Sequence, residues 1–361
     1  MDFDLSADQV DLRDAARAFL DEQCPPSRIR AVRDGDRGWD PELWSAMVEL
    51  GWLGVAVPEA DGGLGLGMVE LGVLLEQAGR HLVPVPFLPT AVAIDVARDA
   101  GDGALVAELL AGRTACVAWS AGATTDRGGV RAEGDRLTGR SAPVPFAPVA
   151  DVAIVVAADG DHHAVFVVDL EATGRPAVEP AMDLSRPLGW LEFDGAEARR
   201  LGGADLAVAV TDLGATAAAL ELLGSGEIAM ELAVQYAKDR VQFGRPIGSF
   251  QAVKHRCADM LVDVEGIRSS AYWAAWCLGA DDDDRSIAAS TAKIWASDAS
   301  KRVMASALQV HGGIGFTWEH DLHLYLKRAQ LDQVSFGDAV WHRARLGGLL
   351  RAKVDAGMSV L

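Results

Sequence analysis

The sequence predicts an α+β multi-domain protein: an N-terminal helical domain, a middle β-barrel or sandwich domain, and a C-terminal four-helix bundle. Three observations predict it. Apolar residues recur at helical spacing up to about residue 112, short apolar runs broken by turn residues follow over 113–203, and helical spacing returns in longer stretches from 204 to 361. The domain boundaries are placed accordingly, at 1–112, 113–203 and 204–361. A chain of 361 residues is long enough for two or three domains.

In the first region Ser6 caps a helix starting at Ala7, with Gln9 as capping-box partner and Val10, Leu12, Ala16, Phe19 and Leu20 as its apolar stripe. Pro25-Pro26 ends it. Asp40-Pro41 opens a second helix with proline at its first position, and Leu43, Met47 and Leu50 carry it to Gly51. Gly62-Gly-Leu-Gly-Leu-Gly67 reads as a flexible loop before a third helix, Met68 to Gly79. A dinucleotide-binding loop needs a different glycine spacing inside a strand–helix–strand unit, and this segment has neither.

In the middle region Ala115–Trp119, Val152–Val156 and Ala164–Val168 are predicted strands. Asp159-Gly160-Asp161 is the turn between the second and third. From about 204 onward Val253, Cys257, Met260, Val264, Ile267, Ala271, Ala274 and Leu278 alternate at spacings of four and three, the seam of antiparallel helix packing. At 1.5 Å per residue that helix is about 40 Å long. Helices at about 206–240, 250–279, 285–311 and 337–355 complete the bundle. Asp281 to Asp284 read as a solvated turn whose last aspartates favour the start of the next helix.

Half of the residues are hydrophobic and 24% are charged, the balance of a globular protein. The net charge of −19 argues against a nucleic-acid partner, which needs a basic stripe; its plain role is to keep the protein soluble. The four cysteines (Cys24, Cys116, Cys257, Cys277) are scattered singly and read as buried, reduced thiols. The start, Met1-Asp-Phe-Asp-Leu-Ser, lacks the basic and apolar regions of a signal peptide, and no charge-free apolar stretch approaches the roughly 20 residues of a membrane span. A cytoplasmic protein without membrane contact is expected. His311 and the pair His162-His163 have no second ligand at helical spacing, so no metal is expected.

Two segments of the last region carry the most specific signal: Tyr236-Ala-Lys-Asp-Arg240-Val-Gln-Phe243-Gly-Arg-Pro-Ile-Gly-Ser-Phe250-Gln251-Ala-Val, and Gln309-Val-His311-Gly312-Gly313-Ile-Gly-Phe316-Thr-Trp-Glu-His320. Arg240 ends one helix, where a rigid bidentate donor can hold a phosphate or serve a surface ion pair. Gln251 starts the next helix, and Phe243 in the turn between them can pack on a flat ring. Gln309 with Gly312-Gly313 ends a helix in a glycine turn, either an ordinary C-cap or a place of close backbone approach to a ligand.

Together these segments resemble the C-terminal signatures of the acyl-CoA dehydrogenase family. Gly51-Trp-Leu-Gly-Val-Ala-Val-Pro-Glu-Ala-Asp-Gly-Gly-Leu-Gly and Leu75-Glu-Gln-Ala-Gly-Arg80 resemble the same family, as does the order helices, β-domain, helices, so the resemblance spans nearly the whole chain. It implies that FAD oxidises an acyl-CoA thioester to the 2,3-enoyl-CoA, and that Arg240, Phe243, Gln251, Gln309, Gly312 and Gly313 contact FAD. A carboxylate removes the α-proton while the β-hydride passes to the flavin, with an electron-transfer-flavoprotein-like acceptor downstream.

Measured against that family pattern, the base is missing. In the family it sits in a tyrosine-glutamate-glycine-threonine stretch; the matching segment here is Leu331-Asp-Gln-Val-Ser335-Phe336-Gly337-Asp338-Ala339, with Phe336 in the glutamate's place. Some relatives carry the base about ten residues before a glycine matching Gly224, and that position is Gly214. Asp338 and Glu221 are candidates for a relocated base, with Glu227 and Asp212 nearby; for each, a solvated acid is the competing reading. The β-domain departs as well: Ala118-Trp119-Ser120 stands where the family has threonine-glutamate-proline, and Ser141-Ala-Pro-Val-Pro-Phe146 where a tryptophan backs the flavin ring. The resemblance places the Arg240 and Gly312-Gly313 grips on a neighbouring subunit's FAD. It therefore favours the non-catalytic chain of an α2β2 heterotetramer, several of which act on sterol side-chain thioesters. The alternatives are a self-sufficient homotetramer with a relocated base, a flavin monooxygenase or nitroalkane-oxidase-like enzyme, and a scaffold that has lost FAD.

Overall fold

The computed structural model describes residues 4–119 and 129–359, so Ser120 and the first three residues lie outside the described segments. The N-terminal region is helical: α1 (Ala7–Gln23), α2 (Pro26–Asp34), α3 (Pro41–Glu49), α4 (Met68–Arg80), α5 (Phe87–Asp99) and α6 (Gly103–Leu110). The capping box at Ser6 forms as expected: Ser6 Oγ accepts from Gln9 N at 3.2 Å and Gln9 Oε1 accepts from Ser6 N at 2.9 Å. Asp40 caps α3 by accepting from Leu43 N at 2.9 Å, and the Arg28 guanidinium holds the same carboxylate.

Three features differ from the sequence reading. Pro26 does end α1, yet it also opens α2, because proline costs nothing at a first helical position. The glycine-rich run 62–67 is not a free loop: Leu64, Gly65 and Leu66 donate from their N–H groups to the carbonyls of Gly54, Val57 and Val55 at 2.8, 2.8 and 3.0 Å. Its backbone is spent on the segment before it, which the composition alone does not show. Finally, α5 is buried on every side from Phe87 to Ala97, the mark of a helix enclosed in a core.

The β-region is a seven-stranded mixed sheet built from β1 (Ala115–Ala118), β2 (Arg131–Glu133), β3 (Arg136–Pro145), β4 (Val152–Asp159), β5 (His162–Asp169), β6 (Leu188–Glu197) and β7 (Arg199–Gly202), with a single helical turn, α7 (Leu170–Thr173), after β5. Its order is β6-β3-β2-β4-β5-β7, and β1 runs parallel to β4. The β4–β5 hairpin turns at Gly160-Asp161, where Gly160 has φ +60°, and Asp159 pairs with His162. Cys116, Leu137, Val155, Phe166, Val168, Leu191 and Phe193 form the core on one face.

The C-terminal region comprises α8 (Ala204–Asp239), a two-stranded hairpin of β8 (Val241–Gln242) and β9 (Arg245–Pro246), α9 (Gln251–Gly279), α10 (Arg285–His311), α11 (Leu322–Asp332) and α12 (Ala339–Asp355). The four expected helices are present; α11 is a fifth. All eight seam residues of α9 are buried or half-buried. Small side chains on α10 (Ala288, Ala289, Ala292, Ala296, Ala299, Ala307) are fully buried and let its neighbours approach closely. By length and composition α8 could cross a membrane, but its apolar window is 89% buried, as in a core helix. Two compact units result: one of Met1–Pro26, Gly72–Val83 and Ala215–Leu361, the other of Ser27–Leu71 and Pro84–Gly214.

Candidate functional site

The two sequence motifs of the C-terminal region meet at one end of the bundle. The Tyr236 ring, one turn before the end of α8, stacks on His311, the last residue of α10, with centroids 4.8 Å apart. His320 packs edge-on against the other motif residue, His311, at 4.4 Å. The ends of α8 and α10 are thereby tied, and Arg240 and Gly312 each follow directly from a stacked helix end. His311 donates from Nδ1 to the Ala307 carbonyl at 2.8 Å, which leaves Nε2 as a buried lone pair without a partner among the described residues. Burial, and the neighbouring His320, hold its pKa below the ordinary histidine value.

Around this stack the named residues are open. Arg240, Gln251 and Gln309 are exposed and have no side-chain hydrogen bond or ion pair among the described residues. Phe243, at the tip of the β8–β9 hairpin, is 92% exposed and has φ +52°, an unfavourable backbone for a bulky side chain. Gly312 has φ +64° and ψ −140°, a conformation open only to glycine. At Gly313 an added Cβ would meet no atom of the chain within 4 Å. Val241, Ile314, Phe316 and Trp318 flank the same end and are all exposed. A guanidinium, two carboxamides, a flat ring and an unhindered glycine backbone are the donor set that a phosphate-bearing aromatic ligand calls for.

The loop after α11 is the opposite. Phe336 is half-buried with φ +55°, and its carbonyl accepts from His342 Nε2 at 2.9 Å. Asp338 is exposed and caps α12 by accepting from Trp341 N at 2.8 Å. Lys293 of α10, wholly buried, donates from Nζ to the carbonyls of Asp332 and Gln333, both at 2.9 Å, and to Ser297 Oγ at 3.1 Å. Burial lowers the Lys293 ammonium to about 7 and His342 to about 4, so His342 is a neutral donor. Neither residue was singled out in the sequence. The signal was there: a lysine on the stripe Ala289, Ala292, Ala296, Ala299, otherwise reserved for small side chains.

Glu221 lies inside α8 with 3% exposure, and Glu227 is engaged by Arg80 at 3.0 Å and Arg268 at 2.7 Å. Arg268 also binds Glu76 at 2.7 Å, and that carboxylate accepts from the Tyr272 hydroxyl at 2.5 Å. In the β-region Trp119 donates from Nε1 to Thr211 Oγ1 at 2.9 Å, and Phe146, fully buried at φ +63°, lies under the Arg186 guanidinium at 5.7 Å. Ser141 Oγ accepts from Leu191 N at 3.1 Å and donates to the Ala142 carbonyl at 2.6 Å. Among the described residues no three His, Cys, Asp or Glu side chains gather as a metal-ligand group.

Residues 6–113 match the family model described as acyl-CoA dehydrogenase, N-terminal domain, and residues 202–347 the one described as acyl-CoA dehydrogenase, C-terminal domain. The chain belongs to the acyl-CoA dehydrogenase family. It is similar to acyl-CoA dehydrogenase FadE27 of Mycobacterium tuberculosis, 34% identical over 96% of this chain and 98% of the relative. Among solved structures it is similar to the ChsE4–ChsE5 complex from Mycobacterium tuberculosis, with TM-score 0.89 and 32% identity over 97% of this chain and 99% of the other. A variant of the steroid acyl-CoA dehydrogenase Tcur3481–Tcur3483 gives TM-score 0.88 and 32% identity over 96% and 99%. This acyl-CoA dehydrogenase homologue is accordingly an oxidoreductase acting on acyl-CoA, in a family of FAD enzymes.

The residues present fit FAD unevenly. The Arg240, Gln251 and Gln309 side chains have no hydrogen-bond or ion-pair partner among the described residues, and Phe243 touches Phe250 only edge-on at 6.1 Å. The glycine bend carries no side chain to block a ligand, although the Gly312 N–H is spent on the Leu308 carbonyl. In the β-region the corresponding positions are spent inside the chain, Trp119 on Thr211 and Phe146 in the core.

Proposed function

We propose that this chain is the base-lacking subunit of an α2β2 acyl-CoA dehydrogenase. It lends Arg240, Phe243, Gln251, Gln309, Gly312 and Gly313 to an FAD that serves a catalytic sister chain. The observation that carries this reading is the contrast in availability. The Arg240, Gln251 and Gln309 side chains are exposed and have no hydrogen-bond or ion-pair partner among the described residues, while position 336, where the family keeps its base, is phenylalanine in a loop closed by the chain's own hydrogen bonds. The ChsE4–ChsE5 neighbour, whose name joins two different subunits, supports a heteromer, and the steroid neighbour supports a bulky steroid-type acyl thioester as substrate. The exposed Val241, Ile314, Phe316 and Trp318 beside the grip suit coverage by that sister chain.

In such an assembly bound FAD supplies the acceptor for the β-hydride. This chain's residues bind and orient: the Arg240 guanidinium neutralises phosphate charge, Phe243 covers a flat ring, and the Gly312-Gly313 bend, without side chains, lets the backbone approach the ligand closely. The α-proton goes to a carboxylate of the sister chain, and an electron-transfer-flavoprotein-like partner takes the electrons onward. The exposed Asp338 is spent as a helix cap and Glu227 in ion pairs, which weighs against a relocated base.

The test is to express the chain alone and with a homologous acyl-CoA dehydrogenase subunit, recording flavin absorbance per protein and dye-coupled turnover of acyl-CoA thioesters. Yellow protein and turnover only on co-expression are expected. Turnover by the chain alone, abolished by Asp338→Ala or Glu221→Gln, would establish the homotetramer instead. Oxygen consumption driven by reduced nicotinamide would point to a monooxygenase.

A further inference from the structure

The loop after α11 is held more tightly than a segment without a catalytic acid requires. Phe336 keeps a left-handed backbone, φ +55°, that a bulky side chain adopts only when its surroundings impose it. Two sets of contacts impose it. His342 donates from Nε2 to the Phe336 carbonyl at 2.9 Å. Gly337, at φ +97°, seats itself so closely that a Cβ would lie 2.7 Å from Trp341 Cε3 and 3.0 Å from His342 Nε2. On the other side, Lys293 grips the last two carbonyls before the loop, those of Asp332 and Gln333, while Ser297 Oγ donates to the Gln333 carbonyl at 3.1 Å.

Lys293, Ser297, Asp332 and His342 all have no solvent exposure. A buried ammonium is an expensive way to close a helix, since a glycine turn or water satisfies the same carbonyls. What an ammonium adds is direction: three donors fixed on one nitrogen locate two consecutive carbonyls and a hydroxyl at once. The charged groups that face it are Asp332 on α11, Asp338 at the start of α12 and Lys301 on α10, with the neutral His342 of α12 beside it.

We infer that Lys293 and His342 are positioning residues that set the backbone at 336, and with it the place of the Phe336 ring, which stands where the family keeps its base and moves no proton. That the ring stands in for a base rests on the proposed function; the positioning does not.

The test places para-fluorophenylalanine at 336 in the co-expressed complex, with a second sample labelled at Phe166, in the β-sheet core, as control. Fluorine NMR spectra are recorded for the parent, Lys293→Met, His342→Leu and His342→Gln, alongside Tm. Lys293→Met and His342→Leu are expected to move and broaden the 336 line while the 166 line stays in place. His342→Gln, which keeps an N–H donor, should return the 336 line to its parent position. A fall in Tm with the 336 line unmoved in both variants would overturn the positioning role, and so would a His342→Gln line no better than that of His342→Leu. If Lys293→Met fails to fold, the two His342 variants decide alone.

Discussion

The end of the bundle around Arg240 and the loop around Phe336 both carry family motifs and both contain a phenylalanine in the left-handed region, at φ +52° and +55°. They differ in what satisfies their polar groups. Near Arg240 the guanidinium and the Gln251 and Gln309 carboxamides have no partner among the described residues. Near Phe336 the last carbonyls of α11, the carbonyl of 336 and the Asp338 carboxylate all accept hydrogen bonds from the chain itself. Polar groups that a fold leaves open are available to something outside it, whereas groups closed by the fold fix geometry. On the proposed function the first end completes another molecule; the second holds the chain's own shape.

The closed region should give the largest response. Burial brings Lys293 from its ordinary 10.5 down to about 7, so between about pH 7 and 10 the unfolded chain binds a proton there that the folded chain does not. This group's contribution to stability therefore rises with pH across that window, and its penalty is complete below about pH 7. At about 1.4 kcal/mol per pH unit of that displacement, its ceiling is about 5 kcal/mol. Urea unfolding across the window, at fixed protein concentration, should show the parent gaining stability with pH relative to Lys293→Met, in which the buried cysteines and tyrosines titrate alike. An unchanged slope in the variant would mean that the ammonium is not closed off from water, and the comparison would fail on that side.

The open region should respond in the opposite sense, in binding and hardly at all in folding. Arg240→Ala removes a charged donor worth roughly 1.5–3 kcal/mol to a bound phosphate, so FAD retention by the complex should fall about 10- to 100-fold. Because the guanidinium has no partner among the described residues, the unfolding free energy of the isolated chain in urea should stay within about 0.5 kcal/mol of the parent. Gly313→Ala sharpens the point: its Cβ meets nothing of the chain, so any loss of flavin reports an approaching ligand. Loss of stability with unchanged flavin, measured by absorbance after gel filtration, would reverse the assignment of the two regions.

Much of this was legible in the sequence, for identifiable reasons. The capping box at Ser6, the start of α3 at Pro41, the seam from Val253 to Leu278 and the turn at Gly160 depend on neighbours within a few residues, and all appear where local chemistry puts them. The motif residues from Arg240 to Gly313 were legible as a set, though not the Tyr236–His311 stack that ties their helices, because it joins residues far apart in the chain. The hydrogen-bonded backbone at Leu64 to Leu66 and the fifth helix α11 were missed for the same cause. Their stability comes from tertiary partners, Gly54 to Val57 in one case and Lys293 in the other. Lys293 itself was visible only as a break in a stripe of small residues, and its role needed coordinates.

The smallest expected effect decides between two readings of one carboxylate. Asp338 Oδ1 accepts from Trp341 N at 2.8 Å at the first turn of α12. An N-cap of this kind is worth about 1 kcal/mol, so Asp338→Ala should lower the unfolding free energy in urea by that amount, while Asp338→Asn, whose amide oxygen caps nearly as well, should leave it almost unchanged. A proton-accepting role makes the reverse demand. Asn cannot take the α-proton, so both variants would lose turnover by roughly 100-fold or more. Steady-state rates of the complex with an acyl-CoA, measured beside the midpoints, separate the two. Equal turnover with a stability loss confined to alanine is the expected result. It would remove Asp338 as the acid for the reaction and favour a base on the sister chain.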